Sequence, residues 1–352
     1  MGEVVIHAGR PKTGSTSLQA WLATRAGSLR ERHGIQVLVA RVGGREGLEL
    51  AWPRLPRLEA GRLAKLDDAG RREAFDASLI AQIAARADRA ALTVVSSESL
   101  ASRLHRPDAG FVSRLAELAT SHRVRVAYYV RPQHTALEAA WRQWGFRSDQ
   151  APSRFVILRS PQLEYAATRA RVSAEARDVS FEVRPFRADL LLGGNVIDDF
   201  AGHFLGLADE NAPAHSIPRA WRNRGLPLDV ANALGGLPPG LLWTPGHGNR
   251  RLDVLRRLVA PLELPESETA RRSLLVLQDY AHGRFEEGNR SLIADLGWAT
   301  DAFVAPVADD DAAGTLDLSV LDDLWSPGPA RRELIGMLGR WASTRSRRRR
   351  GG

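Results

Sequence analysis

The stretch from Val4 to Leu22, VVIHAGRPKTGSTSLQAWL, constrains the fold more than any other. Val4, Val5 and Ile6 form a run of apolar β-formers that leads into a Gly-rich turn. Ser15, Thr16 and Ser17 then supply helix-starting residues, and Leu18, Trp21 and Leu22 continue at helical spacing. The pattern predicts a strand, an anion-binding loop and a helix in succession. Backbone N–H groups of such a loop converge on one point, where the helix N-terminus adds about half a positive charge. An anion belongs there, most often a phosphate.

The loop departs from the ATP-binding pattern G-x-x-x-x-G-K-[ST]. Gly9 and Gly14 have the required spacing, but Ser15 stands in the lysine slot, and the lysine lies inside the loop at Lys12. Lys12 and Lys65 are the only lysines among 49 Lys and Arg residues. A chain that writes arginine almost everywhere has placed a lysine here. Its compact ammonium suits a single oxygen in a crowded pocket better than a planar guanidinium fork does.

The remaining chain reads as alternating strands and helices. Ile35–Ala40 is a second strand. Residues 41–70 form a Gly-, Pro- and Arg-rich excursion. A helical pattern on Phe75, Leu79, Ile80 and Ile83 occupies 71–90. Leu92–Leu100 (LTVVSSESL) is a buried strand ending in polar residues, and a helix follows at about 109–121. Val124–Val130 is a fourth strand that ends at Arg131, and a helix runs from Thr135 to Phe146. Residues 147–177 are mixed and expected to cap the pocket. Val179–Phe186 is a fifth strand, after which Asn195 caps a helix. This alternation predicts an α/β fold, a doubly wound parallel sheet of about five strands flanked by helices, with a helical C-terminal part. Ligands of such sheets sit at the carboxyl ends of the strands. The Lys12 loop, the Ser96-Ser97-Glu98 segment and Arg131 all fall at that edge. The expected organisation is a single domain over 1–340, with a core over 1–210 and a basic tail over 341–352.

Composition narrows the function classes. At 352 residues and 44% hydrophobic, the chain has a sizeable core. Much of the net charge of +8 lies in Arg345 and Arg347–Arg350. That cluster reads as a solvated end, or as a weak hold on an anionic surface. Without cysteine there is no disulfide and no thiolate nucleophile. No stretch reaches the roughly 18 apolar residues of a membrane span, no signal-peptide pattern opens the chain, and a cytoplasmic protein is expected. No nucleic-acid-recognition motif accompanies the terminal arginines.

PKTGSTSLQ resembles the phosphosulfate-binding loop of the P-loop sulfotransferases, which use 3′-phosphoadenosine 5′-phosphosulfate (PAPS), and among them the bacterial sulfotransferase-like proteins. The resemblance is sharp over residues 6–19. Weaker likenesses follow in YYVRPQHTALEAAWRQ, in VRPF with a later GNVIDDF, and in FEEGNRSLIADLGW. It implies sulfuryl transfer from PAPS to a hydroxyl, or an amine, of a carbohydrate, lipid or small-molecule acceptor. It also implies that Lys12 contacts the oxygen bridging sulfur and phosphate, that Thr13, Gly14, Ser15, Thr16 and Ser17 bind the 5′-phosphosulfate, and that Arg131 binds the 3′-phosphate. No metal is expected, because the lysine and the loop neutralise the leaving group. The family's serine eight residues after the arginine is Ala139 here; Thr135 and Arg142 on the same helix are the candidate replacements.

The acceptor needs a base, and Glu98 is the first candidate, worth roughly 10²–10⁴-fold. Glu98 alternatively caps the next helix or pairs with an arginine. His105 and His7 are the fallbacks. Trp141, Trp144 and Phe146 suit either a stacking surface or a core. Two competing functions stay open: a nucleotide-dependent kinase, which Ser15 disfavours, and an inactive nucleotide- or glycan-binding relative, which Ala139 favours.

Overall fold

Five strands, β1 Glu3–His7, β2 Ile35–Val39, β3 Leu92–Ser96, β4 Arg123–Val130 and β5 Val179–Pro185, form one parallel sheet in the order β2-β3-β1-β4-β5. His7 lies opposite Ser96 on one side and Ala127 on the other, so β1 is central. The computed structural model describes residues 2–10, 12–39, 68–106, 110–145, 148, 150–207, 226–234, 267–298, 303 and 317–326. The excursion over 41–67, Ala40, Phe146, the breakers GGLPPG and TPGHGN, and the tail over 341–352 lie outside the described residues.

The chain divides into two compact units, Met1–Arg131 with Glu164–Arg222, and Pro132–Leu163 with Asn223–Gly352. The first holds the sheet together with α1 Ser15–His33, α2 Asp68–Ala87, α3 Glu98–His105, α4 Phe111–Ala119, α7 Tyr165–Glu175 and α8 Val196–Leu205. In the second, the described elements are helical: α5 Gln133–Trp141, α6 Pro152–Arg159, α9 Leu228–Leu234, α10 Glu268–Leu296 and α11 Val320–Leu324. The region 147–177 is thus split between the units at Leu163.

A parallel sheet must be covered on both faces. On one face Val5, Val37, Val94 and Tyr129 pack against Leu18, Trp21 and Leu22 of α1 and against Val196, Phe200 and Phe204 of α8. Each of these large side chains contributes about 1.5–3 kcal/mol by burial. The alternate residues Val4, Ile6, Val95, Val126 and Tyr128 point to the opposite face and are equally buried. There α2 lies along β3 and β1, and α4 along β4 and β5.

One buried polar network ties β5 to α8. Asp199, with no exposed surface, accepts from Arg184 Nε at 2.6 Å and Nη2 at 2.5 Å, from the Tyr129 hydroxyl at 2.7 Å and from Leu192 N–H at 3.0 Å. Asn195 caps α8 as expected, its Oδ1 accepting from the N–H groups of Ile197 and Asp198, both at 3.0 Å. The VRPF and GNVIDDF segments therefore have a structural job here.

Two sequence expectations are corrected. The third strand stops at Ser96, and residues 98–105 form α3, a helix absent from the sequence reading. Ser97 begins it, its Oγ accepting from Ser99 N–H at 3.3 Å. The fifth helix begins at Gln133 and is regular only to Trp141. In the second unit Trp141 is core: it stacks on Trp325 at 4.7 Å, meets Phe155 edge-on at 5.4 Å, and donates from Nε1 to Asn232 Oδ1 at 2.8 Å. A Cβ on Gly145 would sit 2.0 Å from the Trp141 ring, so glycine is required there. Trp144 lies under the Arg159 guanidinium at 5.4 Å.

Candidate functional site

The carboxyl ends of β1, β3 and β4 bring the loop, Glu98 and Arg131 together in the first unit. The loop turns back on itself at Arg10, whose carbonyl accepts from Thr13 N–H at 3.3 Å, Thr13 Oγ1 at 2.7 Å and Ser15 Oγ at 2.9 Å. The buried hydroxyls of Thr13 and Ser15 thus hold the turn. The first-turn N–H groups of α1, from Ser15 to Ser17, have no acceptor within the helix, and that turn carries no acidic side chain. Both glycines are needed. A Cβ on Gly9 would lie 2.4 Å from Ser15 Oγ and 2.6 Å from the His7 ring. Gly14 has φ of 74°, and a Cβ there would lie 2.7 Å from Val196 Cγ1.

Lys12 is the one non-glycine residue with positive φ among the described residues, at 69°. Such a backbone costs roughly 1–2 kcal/mol for a side chain with a Cβ. Arg131 stabilises the turn by donating from Nη1 to the Lys12 carbonyl at 3.3 Å. The charge of Lys12 also reaches Glu98. Burial raises the Glu98 carboxyl above its ordinary range, and Lys12 acts against that rise. Glu98 is the first residue of α3, while the cap is Ser97, so its carboxylate is not spent on capping.

The fallback histidines have opposite characters. His7 is fully buried, and burial lowers its imidazole to about 3. Its Nδ1 bonds Ser96 Oγ at 2.7 Å, and Tyr129 and Phe200 meet its ring edge-on. The His7 carbonyl accepts from Ser97 N–H at 3.2 Å, so this residue clamps the β1 and β3 ends together. His105, on the last turn of α3, is lowered to about 4 by burial and then by the charges of Arg10, Arg171 and Arg106. Its Nδ1 lies 3.3 Å from Thr168 Oγ1. That hydroxyl donates its proton to the Glu164 carbonyl at 2.9 Å, so His105 Nδ1 carries the hydrogen and Nε2 is left as an acceptor.

Thr135 belongs to the second unit, where its hydroxyl donates to the Pro132 carbonyl at 2.8 Å. Arg142 in the same unit bonds the Leu226 carbonyl at 2.6 Å and Glu138 at 2.9 Å. Sequence reasoning missed Arg10 and Tyr165. Arg10 is only 6% exposed; it donates to the Tyr128 hydroxyl at 3.3 Å and lies 5.6 Å over the Tyr165 ring. Tyr165 in turn donates to the Arg131 carbonyl at 3.0 Å. An arginine next to a loop proline carried no signal in a chain so rich in arginine.

Among the described residues no group of three or more His, Cys, Asp or Glu is placed to hold a metal ion, and no helix is long and apolar enough to cross a membrane. Comparison of the chain with family models, with curated proteins and with solved structures gave no match. The chemistry at this sheet edge therefore rests on its own geometry: a helix N-terminus without an acidic first turn, a lysine inside the loop, and one half-buried carboxylate that the lysine's charge reaches.

Proposed function

We propose that the protein is a PAPS-dependent sulfotransferase that moves a sulfuryl group to a hydroxyl of a carbohydrate, lipid or small-molecule acceptor. The observation that carries this reading is the position of Lys12 in the turn before α1, from which its charge reaches Glu98 at the start of α3. A lysine held with φ of 69° by the Arg131 contact stands at the loop, and its charge acts on a carboxylate whose basicity burial has raised. Strained backbone that the surroundings hold in place is common where geometry serves chemistry.

PAPS, when bound, supplies the activated sulfuryl group. The loop and the α1 N-terminus would hold its 5′-phosphosulfate, through N–H groups rather than through the occupied Thr13 and Ser15 hydroxyls. Lys12 would neutralise charge on the leaving phosphate oxygen. Glu98 would take the acceptor proton, and burial suits it to that task, because a base works best with a pKa near the working pH. Arg131 would pair with the 3′-phosphate while keeping the Lys12 carbonyl in place.

Calorimetric titration with PAP, the product nucleotide, tests the reading against ATP with magnesium. PAP binding that weakens in Arg131→Ala is expected. ATP binding without PAP binding moves the protein to the kinases, and binding of neither makes it a non-catalytic relative.

A further inference from the structure

Beside the loop lies a group of cations that the nucleotide reading does not use. The guanidinium of Arg10 is nine-tenths buried, and among the described residues no carboxylate pairs with it. Among those residues its guanidinium hydrogen-bonds only a neutral phenol, at 3.3 Å. Arg171 sends Nη1 to the Arg106 carbonyl at 2.6 Å, while its Nη2 is buried with no hydrogen-bond partner among the described residues. Both charges act on His105, and so does Arg106. Tyr165, Thr168 and Arg171 are spaced three apart on α7, which is why one helix face gathers them. Burying a charge without a partner is costly, and buried guanidinium groups are normally paired. Among the described residues no acid answers these donors, and the cluster is short of one anion.

We infer that Arg10 and Arg171, with His105 and Tyr165 around them, form a second anion-binding subsite beside the loop, which takes a carboxylate or sulfate group carried by the acceptor. The subsite sits at the far end of α3 from Glu98. Seven residues at 1.5 Å each place the two helix ends about 10 Å apart. An acidic sugar can span that distance, with its hydroxyl at Glu98 and its acid group at the arginines, and the acceptor Nε2 of His105 can receive a neighbouring hydroxyl. The identification of an acceptor rests on the sulfotransferase reading. The anion subsite itself rests only on the side chains.

Ring C–H signals of His105, assigned with His105→Gln, report on the subsite by NMR in the full-length protein. Sodium sulfate and sodium glucuronate are titrated at constant ionic strength, with PAP saturating, and glucose serves as the uncharged control. The expected result is a saturable shift with either anion and none with glucose. Arg10→Met and Arg171→Met should each weaken the anion by about tenfold or more, the loss of a charge-assisted hydrogen bond, with PAP affinity unchanged. Arg171→Met keeps the test decisive if Arg10→Met does not fold. Absence of a saturable shift overturns the inference. So does a parallel loss of PAP affinity in Arg10→Met, which would give that guanidinium to the nucleotide. If the wild-type protein does not bind PAP, only the nucleotide reading falls, and the same sulfate titration without PAP still decides the subsite.

Discussion

Replacing Asp199 by alanine should be among the most damaging single changes in the first unit. The carboxylate has no exposed surface and receives four hydrogen bonds. Its removal leaves the Arg184 guanidinium without its anion and the Tyr129 hydroxyl without an acceptor, in a residue that is itself fully buried. Breaking a buried ion pair from one side costs about 3–5 kcal/mol. Arg184 retains 23% of its side-chain surface in solvent, which places the cost near the lower end, at about 3 kcal/mol. The loss also depends on pH. Burial pushes the Asp199 carboxyl up, but the bonds from Arg184, Tyr129 and Leu192 outweigh it and hold the pKa below the ordinary value. A depressed acid stabilises the fold above its unfolded pKa, about 4, and loses that contribution as pH falls through the lower folded value. Wild type and Asp199→Ala should therefore differ fully at neutral pH and converge in strong acid. Urea unfolding followed by circular dichroism, at unchanged m-value, measures the difference. A loss under about 1 kcal/mol at neutral pH would refute the claim that this network is a buried, uncompensated charge once cut. The double variant Arg184→Met with Asp199→Leu should recover much of the loss, because replacing both partners by apolar groups removes the orphaned charge.

Three other changes separate function from stability. Lys12→Gly relieves the positive φ and should stay within about 1 kcal/mol of wild type, the relief offsetting the entropy of glycine. Turnover with PAPS should nonetheless vanish, and retained turnover would remove Lys12 from the chemistry. Glu98→Gln should stabilise the fold at neutral pH, since burial raises this carboxyl and charging it therefore costs stability as pH rises through the folded pKa. The gain should disappear below about pH 4, where the unfolded acid is protonated too; thermal melts across pH read it, and no gain at pH 7 would contradict the burial assigned to this side chain. Gly9→Ala forces a methyl to within 2.4 Å of Ser15 Oγ and 2.6 Å of the His7 ring. It should cost about 1–3 kcal/mol and weaken PAP binding, and a neutral result would mean that the loop is not held as tightly as the contacts require.

Much of the fold was legible because its signals are local. A β-forming run, a Gly-rich turn and an apolar period of 3.6 are written in consecutive residues, and β1 followed by α1 obeys them. Asn195 before VIDDF announces a helix by a rule that needs three residues. The helix at 98–105 was not legible: Ser97, Glu98 and Ser99 continue the strand LTVVS as polar residues, and only the capping bond from Ser99 N–H to Ser97 Oγ decides where the strand ends. Trp141 could have been a stacking surface until Trp325 and Asn232, far along the chain, were seen to enclose it.

The sequence by itself determined that a Gly-rich turn carrying Lys12 leads from β1 into the N-terminus of α1, because such a pattern depends on neighbours in the chain. Only the tertiary structure decided what surrounds that point. Arg10, His105, Tyr165 and Arg171 come from the loop, α3 and α7, and Asp199 reaches Tyr129 across seventy positions. Burial and charge act through space, and a parallel sheet whose strands return by crossover helices is what brings residues so distant in sequence to one edge.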